Sequence, residues 1–164
     1  MFRILKKVNT DAILQAYQEI EDSIVWTEYN HKGKQAGIQY RAGDDPWNSA
    51  VGTRKGNEMA YAILNSAFTN TIFDELINEY NLKRSRLMWV YPFACYSMHR
   101  DQTARIHIPL ITNSECYFVF KNNSVYNLPL GNAYIVNTRQ YHTFMNCSAQ
   151  PRLHLVGSTT HYYA

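Results

Sequence analysis

The chain lacks the features that mark several common functional classes. Its 164 residues hold only three cysteines, Cys95, Cys116 and Cys147, with no C-x-x-C pair. That odd, unpaired spacing argues against a zinc ribbon and predicts free thiols in a reducing compartment. No apolar run approaches a membrane span, and the apolar part of Met1–Lys7 is too short for a signal peptide. The expectation is a cytoplasmic protein without a membrane partner. Clustered charge is scarce too. A net charge of +3, with no basic run longer than Lys6-Lys7 or Lys83-Arg84, argues against nucleic acid as a partner. There is no internal repeat and no low-complexity segment.

What is present suits one domain with a real hydrophobic core over residues 1–164. Thirteen tyrosines are the unusual entry in the composition, and they suit β-structure and a lined cavity. Residues 10–22 read as an amphipathic helix, capped by Asn9 or Thr10, with Ile13, Leu14, Tyr17 and Ile20 on one stripe. A short strand follows at Ile24–Thr27. Residues 29–57 hold five of the seven glycines and read as a long loop, with room for a strand at Gly37–Tyr40. Trp47 in that loop is the candidate substrate lid. Residues 58–67 fit a short helix or a strand. Residues 71–81 form a clearer helix, capped at Asn70 or Thr71, with Phe73, Leu76 and Ile77 on its buried face.

From residue 84 the pattern becomes strand after strand, divided by Asn, Gly and Pro. The runs are Arg86–Tyr91, Cys95–Asp101, Arg105–Ile111, Glu115–Lys121, Ser124–Leu128, Asn132–Asn137, His142–Cys147 and Arg152–Ser158. The expected fold is α+β, mainly β: a double-stranded β-helix, or cupin-like jelly roll, with N-terminal helices packed on it. Residues 1–85 make the helical, loop-rich part, and 86–164 the core carrying the site.

The chemistry concentrates in Cys95–Leu110. Read as a strand without a bulge, it turns His99, Asp101, Thr103, Arg105 and His107 to one face, and Met98, Ala104, Ile106 and Ile108 to the other. Ionisable groups in a core are costly unless paired or metal-bound. His142 follows about forty residues later and Arg152 ten beyond it. His-x-Asp with a distant His is the spacing of the two-histidine, one-carboxylate triad that holds non-haem Fe(II) and leaves positions open. A nearby Arg can grip the far carboxylate of 2-oxoglutarate through its planar fork. Plainer readings stand beside these. His99 and Asp101 could be a surface ion pair, His142 a core histidine, and Arg152 a surface strand arginine. Arg105 and His107 could form a structural Arg–carboxylate contact or support the metal indirectly. His154 shares parity with Arg152 and reads chiefly as packing, with a place lining the cavity as the alternative.

The segment from about Arg86 to Gly157 resembles the aspartyl/asparaginyl β-hydroxylase-like branch of the 2-oxoglutarate, Fe(II)-dependent oxygenases. The matching pieces are Cys-Tyr-Ser-Met-His99-Arg-Asp101, Arg105-Ile-His107-Ile-Pro-Leu, Gly131 before a strand, Asn137 through His142 to Asn146, and Arg152-Leu-His154-Leu-Val-Gly157. The resemblance implies His99 and His142 as metal ligands, Arg152 as the 2-oxoglutarate anchor, and Arg105 and His107 beside that co-substrate. Animal members lack the carboxylate ligand, whereas Asp101 stands here in the ordinary superfamily position. That position argues against halogenation, which needs it vacant. The animal members also carry a membrane anchor and a helical-repeat domain for protein substrates, and no comparable motif is found in residues 1–85. The chemistry is therefore expected to transfer better than the substrate. The implied reaction is a dioxygenation using Fe(II), 2-oxoglutarate and O2, with ascorbate as a candidate reductant. It would hydroxylate a peptidyl or free amino acid, or a related small molecule, and release succinate and CO2. Two alternatives remain: a cupin-like metalloenzyme without 2-oxoglutarate, and a non-catalytic binding module.

Overall fold

A computed structural model describes residues 2–52 and 56–160 of the chain. Strand β1 (Phe2–Lys7) leads into helix α1 (Thr10–Ile20), then β2 (Thr27–Tyr29), β3 (Gly33–Gly37) and β4 (Gln39–Tyr40). Next come β5 (Ile63–Leu64) and helix α2 (Ile72–Glu79), followed by β6 (Lys83–Val90), β7 (Ala104–Ile111) and β8 (Cys116–Phe120). The chain continues through β9 (Val125–Tyr126), β10 (Asn132–Val136), β11 (His142–Asn146) and β12 (Arg152–Thr159).

All the strand pairs are antiparallel, in a seven-stranded sheet of order β1-β10-β7-β12-β6-β3-β2 and a three-stranded sheet β11-β8-β9, with β4 and β5 forming a separate ribbon. Alternation sorts the side chains of the large sheet to its two faces. On β7, Ala104, Ile106, Ile108 and Leu110 join the core beneath the helices, while His107 points between the sheets and meets Phe118 ring to ring at 4.9 Å. Val90, Phe118, Phe120, Tyr134 and Phe144 form a second cluster inside the sandwich. This is the jelly roll that the strand pattern predicts.

The helices form for local reasons and stay for packing. Asn9 caps α1 by accepting a hydrogen bond from the Ala12 amide at 3.1 Å, and Thr71 caps α2 by accepting one from Phe73 at 3.2 Å. Ile13 and Tyr17, one turn apart, are buried, and Tyr17 meets Trp89 of β6 edge-on. Phe73 is fully buried against Phe68, and burial of such a side chain contributes roughly 2–3 kcal/mol. The 58–67 segment resolves into 3-10 turns at Glu58–Ala60 and Ser66–Phe68 around β5.

Four expectations change. The strand foreseen at Ile24–Thr27 lies at Thr27–Tyr29, because Ile24 is buried just after a 3-10 turn. The glycine-rich 29–57 stretch is not a loop throughout: it supplies β3, paired to β6. Glycine fits there because β3 approaches β6 so closely that a Cβ on Gly33 would lie 1.9 Å from the Trp89 carbonyl oxygen. Residues 53–55 of that stretch lie outside the described residues. The large sheet also draws β1, β2 and β3 from residues before 86, so the jelly roll is not confined to the later part. Finally, Cys95–Asp101 is no regular strand. It touches the small sheet through isolated bridges, Cys95 to Met145 and His99 to His142, before crossing to the large sheet as β7. That crossing leaves Met98 46% exposed rather than packed with Ala104, Ile106 and Ile108.

Candidate metal centre

His142 opens β11, and its side chain is 4% exposed. His99 lies across from it, the two residues exchanging main-chain hydrogen bonds of 2.9 and 2.8 Å. Asp101 is fixed by its own amide, which donates to the Thr138 carbonyl at 2.8 Å. Thr138 in turn donates its hydroxyl to the Thr103 carbonyl at 2.9 Å, so the crossing segment is tied to the turn that leads into β11. These ties bring His99 Nε2 to 4.0 Å from Asp101 Oδ1 and His142 Nε2 to 4.0 Å from Oδ2. Three donor atoms, all within 4.8 Å of one another, thus converge from residues that spacing alone had grouped.

Both imidazoles are held in the form a metal needs. The Nδ1 of His99 is 2.7 Å from the Ser97 carbonyl, and the Nδ1 of His142 is 2.9 Å from that of Gln140. A carbonyl only accepts, so each Nδ1 carries a proton, and in the neutral ring the lone pair then sits on Nε2, toward the shared centre. Burial pushes the His142 pKa down, against the opposing pull of the Gln140 carbonyl and Asp101, which favours the neutral ligand form.

Behind Asp101 stands a buried charge network. Arg105 Nη2 is 3.3 Å from Asp101 Oδ1 and 2.6 Å from Glu58 Oε1. Glu58 also takes Arg84 Nη1 at 2.5 Å, Thr103 Oγ1 at 2.8 Å and Ser158 Oγ at 3.3 Å. Arg105, foreseen beside the co-substrate, is therefore engaged with carboxylates of the chain itself. It is thereby placed to orient Asp101.

Arg152 opens β12 and is 2% exposed, with its Cζ 3.5 Å above the centre of the Phe144 ring. Among the described residues its Nε and Nη1 find no hydrogen-bond partner. Burial lowers its pKa to about 9. A buried guanidinium without an anion is costly, so this position suits a ligand that brings one. Phe144 lies two residues along β11 from His142, about 7 Å along the strand. The wall beside it carries His107 and His154, their Nδ1 atoms 3.4 Å apart, and His154 Nε2 is also unpartnered among the described residues. Both stay neutral, because burial and the Arg152 charge push their pKa values well down. His154, read from the sequence chiefly as packing, thus offers one free polar atom at this pocket.

A cavity of about 360 Å³ opens onto the triad and is lined by His99 and Asp101 together with Gln35, Arg84, Arg86 and Tyr96. Trp47 is not at its edge. That side chain packs edge-on against Phe68 beside the main core, with ring centres 5.8 Å apart, so no lid is built from it. Glu58, Gln35, Arg86 and Tyr96 escaped the sequence reading. The alternation Arg84-Ser-Arg86 was a usable signal, since two arginines at strand period share a face. Asn146, unassigned from sequence, staples the end of the sandwich by donating to the Tyr91 and Gln150 carbonyls.

The donor set suits a divalent metal: two neutral imidazoles and one carboxylate, with an unsatisfied guanidinium nearby. Structural relatives share the fold at low identity. The DMSP lyase DddQ from Ruegeria pomeroyi DSS-3 superposes with a TM-score of 0.55 at 12% identity, covering 98% of this chain and 69% of that one. An oxidoreductase of the 2OG-Fe(II) oxygenase family from Burkholderia pseudomallei gives 0.54 at 15%, covering 92% and 82%. A Pseudomonas putida prolyl-4-hydroxylase gives 0.53 at 11%, covering 96% and 90%. No curated protein matches the sequence. The family model for aspartyl/asparaginyl beta-hydroxylase matches residues 7–161, nearly the whole chain. With its jelly roll and convergent His-Asp-His set, the chain belongs to the aspartyl/asparaginyl β-hydroxylase family.

Proposed function

We propose that this chain is an Fe(II)- and 2-oxoglutarate-dependent hydroxylase. His99, Asp101 and His142 would hold the metal, and Arg152 would hold the distal carboxylate of the co-substrate. With both bound, the centre supplies oxidative decarboxylation of 2-oxoglutarate to succinate and CO2, coupled to insertion of one oxygen atom from O2 into a substrate C–H bond. The protein's own contribution is placement. Gln140 and Ser97 fix the imidazole tautomers, Arg105 and Glu58 set the Asp101 carboxylate, and Phe144 and Phe118 keep the anchor pocket apolar. Substrate would be a peptidyl or free amino acid, or a related small molecule, entering by the cavity beside His99. Ascorbate would serve to keep the metal reduced.

The observation that carries this reading is Arg152, a buried guanidinium lacking a counter-charge among the described residues, on the same sandwich interior as the triad. A cupin-like metalloenzyme that does not use 2-oxoglutarate has no need of it. Incubation with Fe(II), ascorbate, O2 and 2-oxoglutarate, with succinate measured, tests the proposal. Slow succinate release in wild type that disappears in His99→Ala supports it. Binding of 2-oxoglutarate without succinate favours the binding module, and no interaction with 2-oxoglutarate favours the other metalloenzyme.

A further inference from the structure

We infer that Arg86 is a second anion subsite, which takes a carboxylate of the substrate. This deepens the proposed function and rests on it. Arg86 sits in the middle of β6 and lines the same cavity as the metal ligands His99 and Asp101. It is 7% exposed, and among the described residues its Nε has no hydrogen-bond partner. Its Nη1 donates to the Arg84 carbonyl at 3.3 Å. Burial and the charges of Arg84 and Arg105 push its pKa to about 9, so the site disfavours the cation unless an anion arrives.

Charge accounting leaves Arg86 as the residue in want of a partner. Arg84 and Arg105 share Glu58, and Arg105 also touches Asp101. In the proposed complex the charges of Fe(II), Asp101, the 2-oxoglutarate dianion and Arg152 cancel. Glu58 balances only one of Arg84 and Arg105. The cavity therefore stays positive after metal and co-substrate are in place. Lys32 and the exposed Arg100 line it too, over the rings of Tyr96 and Tyr141, and Arg86 is its buried guanidinium without a carboxylate partner among the described residues. A lined cavity with a surplus cation selects an anionic ligand.

Arg86 and Arg152 are separate sites. In the β6–β12 register Arg152 stands opposite Val90, and Arg86 lies four residues back along β6, about 13 Å along the backbone. Arg86 lines the cavity beside His99 and Asp101, and Arg152 is not among that cavity's lining residues. Tyr96 lines the cavity with Arg86, and burial raises its pKa against the smaller, lowering effect of both arginine charges. Gln35, on β3 opposite Met88, adds an amide to the same cavity. The planar fork of Arg86 matches a carboxylate, which the α-carboxylate of a free amino acid or the side chain of an acidic residue could bring.

The test is calorimetry without dioxygen on protein holding Fe(II) and 2-oxoglutarate, with three sets of probes. Free L-leucine and L-proline carry only an α-carboxylate. N-acetyl aspartate and glutamate α-amides carry only a side-chain carboxylate. N-acetyl leucine and asparagine amides carry none. One of the carboxylate-bearing sets should bind at least about tenfold tighter than the third, and which one does identifies the source. Arg86→Gln should abolish that preference, and Arg86→Lys should restore part of it. Equal behaviour of all three sets, including no binding, overturns the subsite, and this arm needs only wild-type protein. A preference that survives in Arg86→Gln overturns it as well. The visible absorption band of Fe(II) with 2-oxoglutarate, recorded on the same samples, separates the two failures. Without a band the hydroxylase reading falls; with a band and no carboxylate preference, only the Arg86 subsite falls.

Discussion

His99 and His142 face one another as an isolated antiparallel bridge, exchanging amide–carbonyl hydrogen bonds of 2.9 and 2.8 Å, with their rings 4.5 Å apart. Backbone pairing, not side-chain packing alone, therefore sets the separation of the two imidazoles. Forty-three residues of sequence are closed by two hydrogen bonds, and the carboxylate of Asp101 is delivered two residues further on.

The bridge makes the three donors a unit. Asp101→Asn keeps the shape but removes the charge, and should weaken Fe(II) or Co(II) binding by about a hundredfold or more, beyond the 10–100-fold typical of supporting residues. Metal titration of the folded variant checks this. Unchanged affinity would leave Asp101 as a mere ion-pair partner of Arg105.

Arg152 separates stability from function. Its guanidinium is buried without a counter-charge among the described residues, so Arg152→Met should leave the unfolding temperature unchanged or raise it. The same change should weaken 2-oxoglutarate binding by about a hundredfold, the loss of two charge-assisted hydrogen bonds. A variant that unfolds more easily would instead mark Arg152 as structural.

Glu58 should behave as the keystone of the network behind Asp101. Glu58→Gln leaves Arg84 and Arg105 buried without their shared anion, and should cost roughly 3–5 kcal/mol in a urea unfolding curve. Metal binding should weaken in step, since Arg105 would no longer be held against Asp101. An equally stable variant would show that the network contributes little.

The same residue predicts an acid limb. Burial raises the Glu58 pKa, but the hydrogen bonds and charge of Arg105, with Thr103 and Arg84, outweigh it and bring it to about 2. A carboxylate depressed below its unfolded value of about 4.3 stabilises the fold above that pH and loses the effect as pH falls toward 2. About 3 kcal/mol should disappear across that window, as followed by denaturant unfolding at each pH. The slope should flatten in Glu58→Gln.

Trp47 provides a control away from the chemistry. Its ring packs on Phe68 beside the main core, so Trp47→Ala should lower stability by about 2 kcal/mol while the folded protein consumes 2-oxoglutarate at the wild-type rate. A selective loss of turnover would restore it to a role at the cavity.

Much of this architecture was legible in the chain because short-range rules govern it. The strands from β6 onward fall within about three residues of the boundaries that Asn, Gly and Pro punctuation predicts, and Asn9 and Thr71 cap as their side chains dictate. His99, Asp101 and His142 announced themselves by spacing. The rest depended on distance. Nothing local in Arg100–Thr103 says that the chain leaves one sheet for the other, so period 2 alone placed His99 and Arg105 on one strand face. Glu58 gains its meaning from Arg84, Arg105 and Ser158, which are 26, 47 and 100 residues away. The glycines of β3 looked like loop residues because the strand they pair with comes fifty residues later. In β6, where Lys83-Arg-Ser-Arg86 precedes the apolar Leu87–Val90, Arg86 reads as a strand residue until the cavity shows that it lines it.

The central claim is that His99, Asp101 and His142 hold Fe(II) while Arg152 holds 2-oxoglutarate beside it. Anaerobic titration of Fe(II)-loaded protein with 2-oxoglutarate, followed by visible absorption, tests it most directly. The account predicts a saturable metal-to-ligand charge-transfer band that vanishes in the His99→Ala, His142→Ala double variant and needs far more 2-oxoglutarate in Arg152→Met. No band in wild type, or an undiminished band in the double variant, would contradict it.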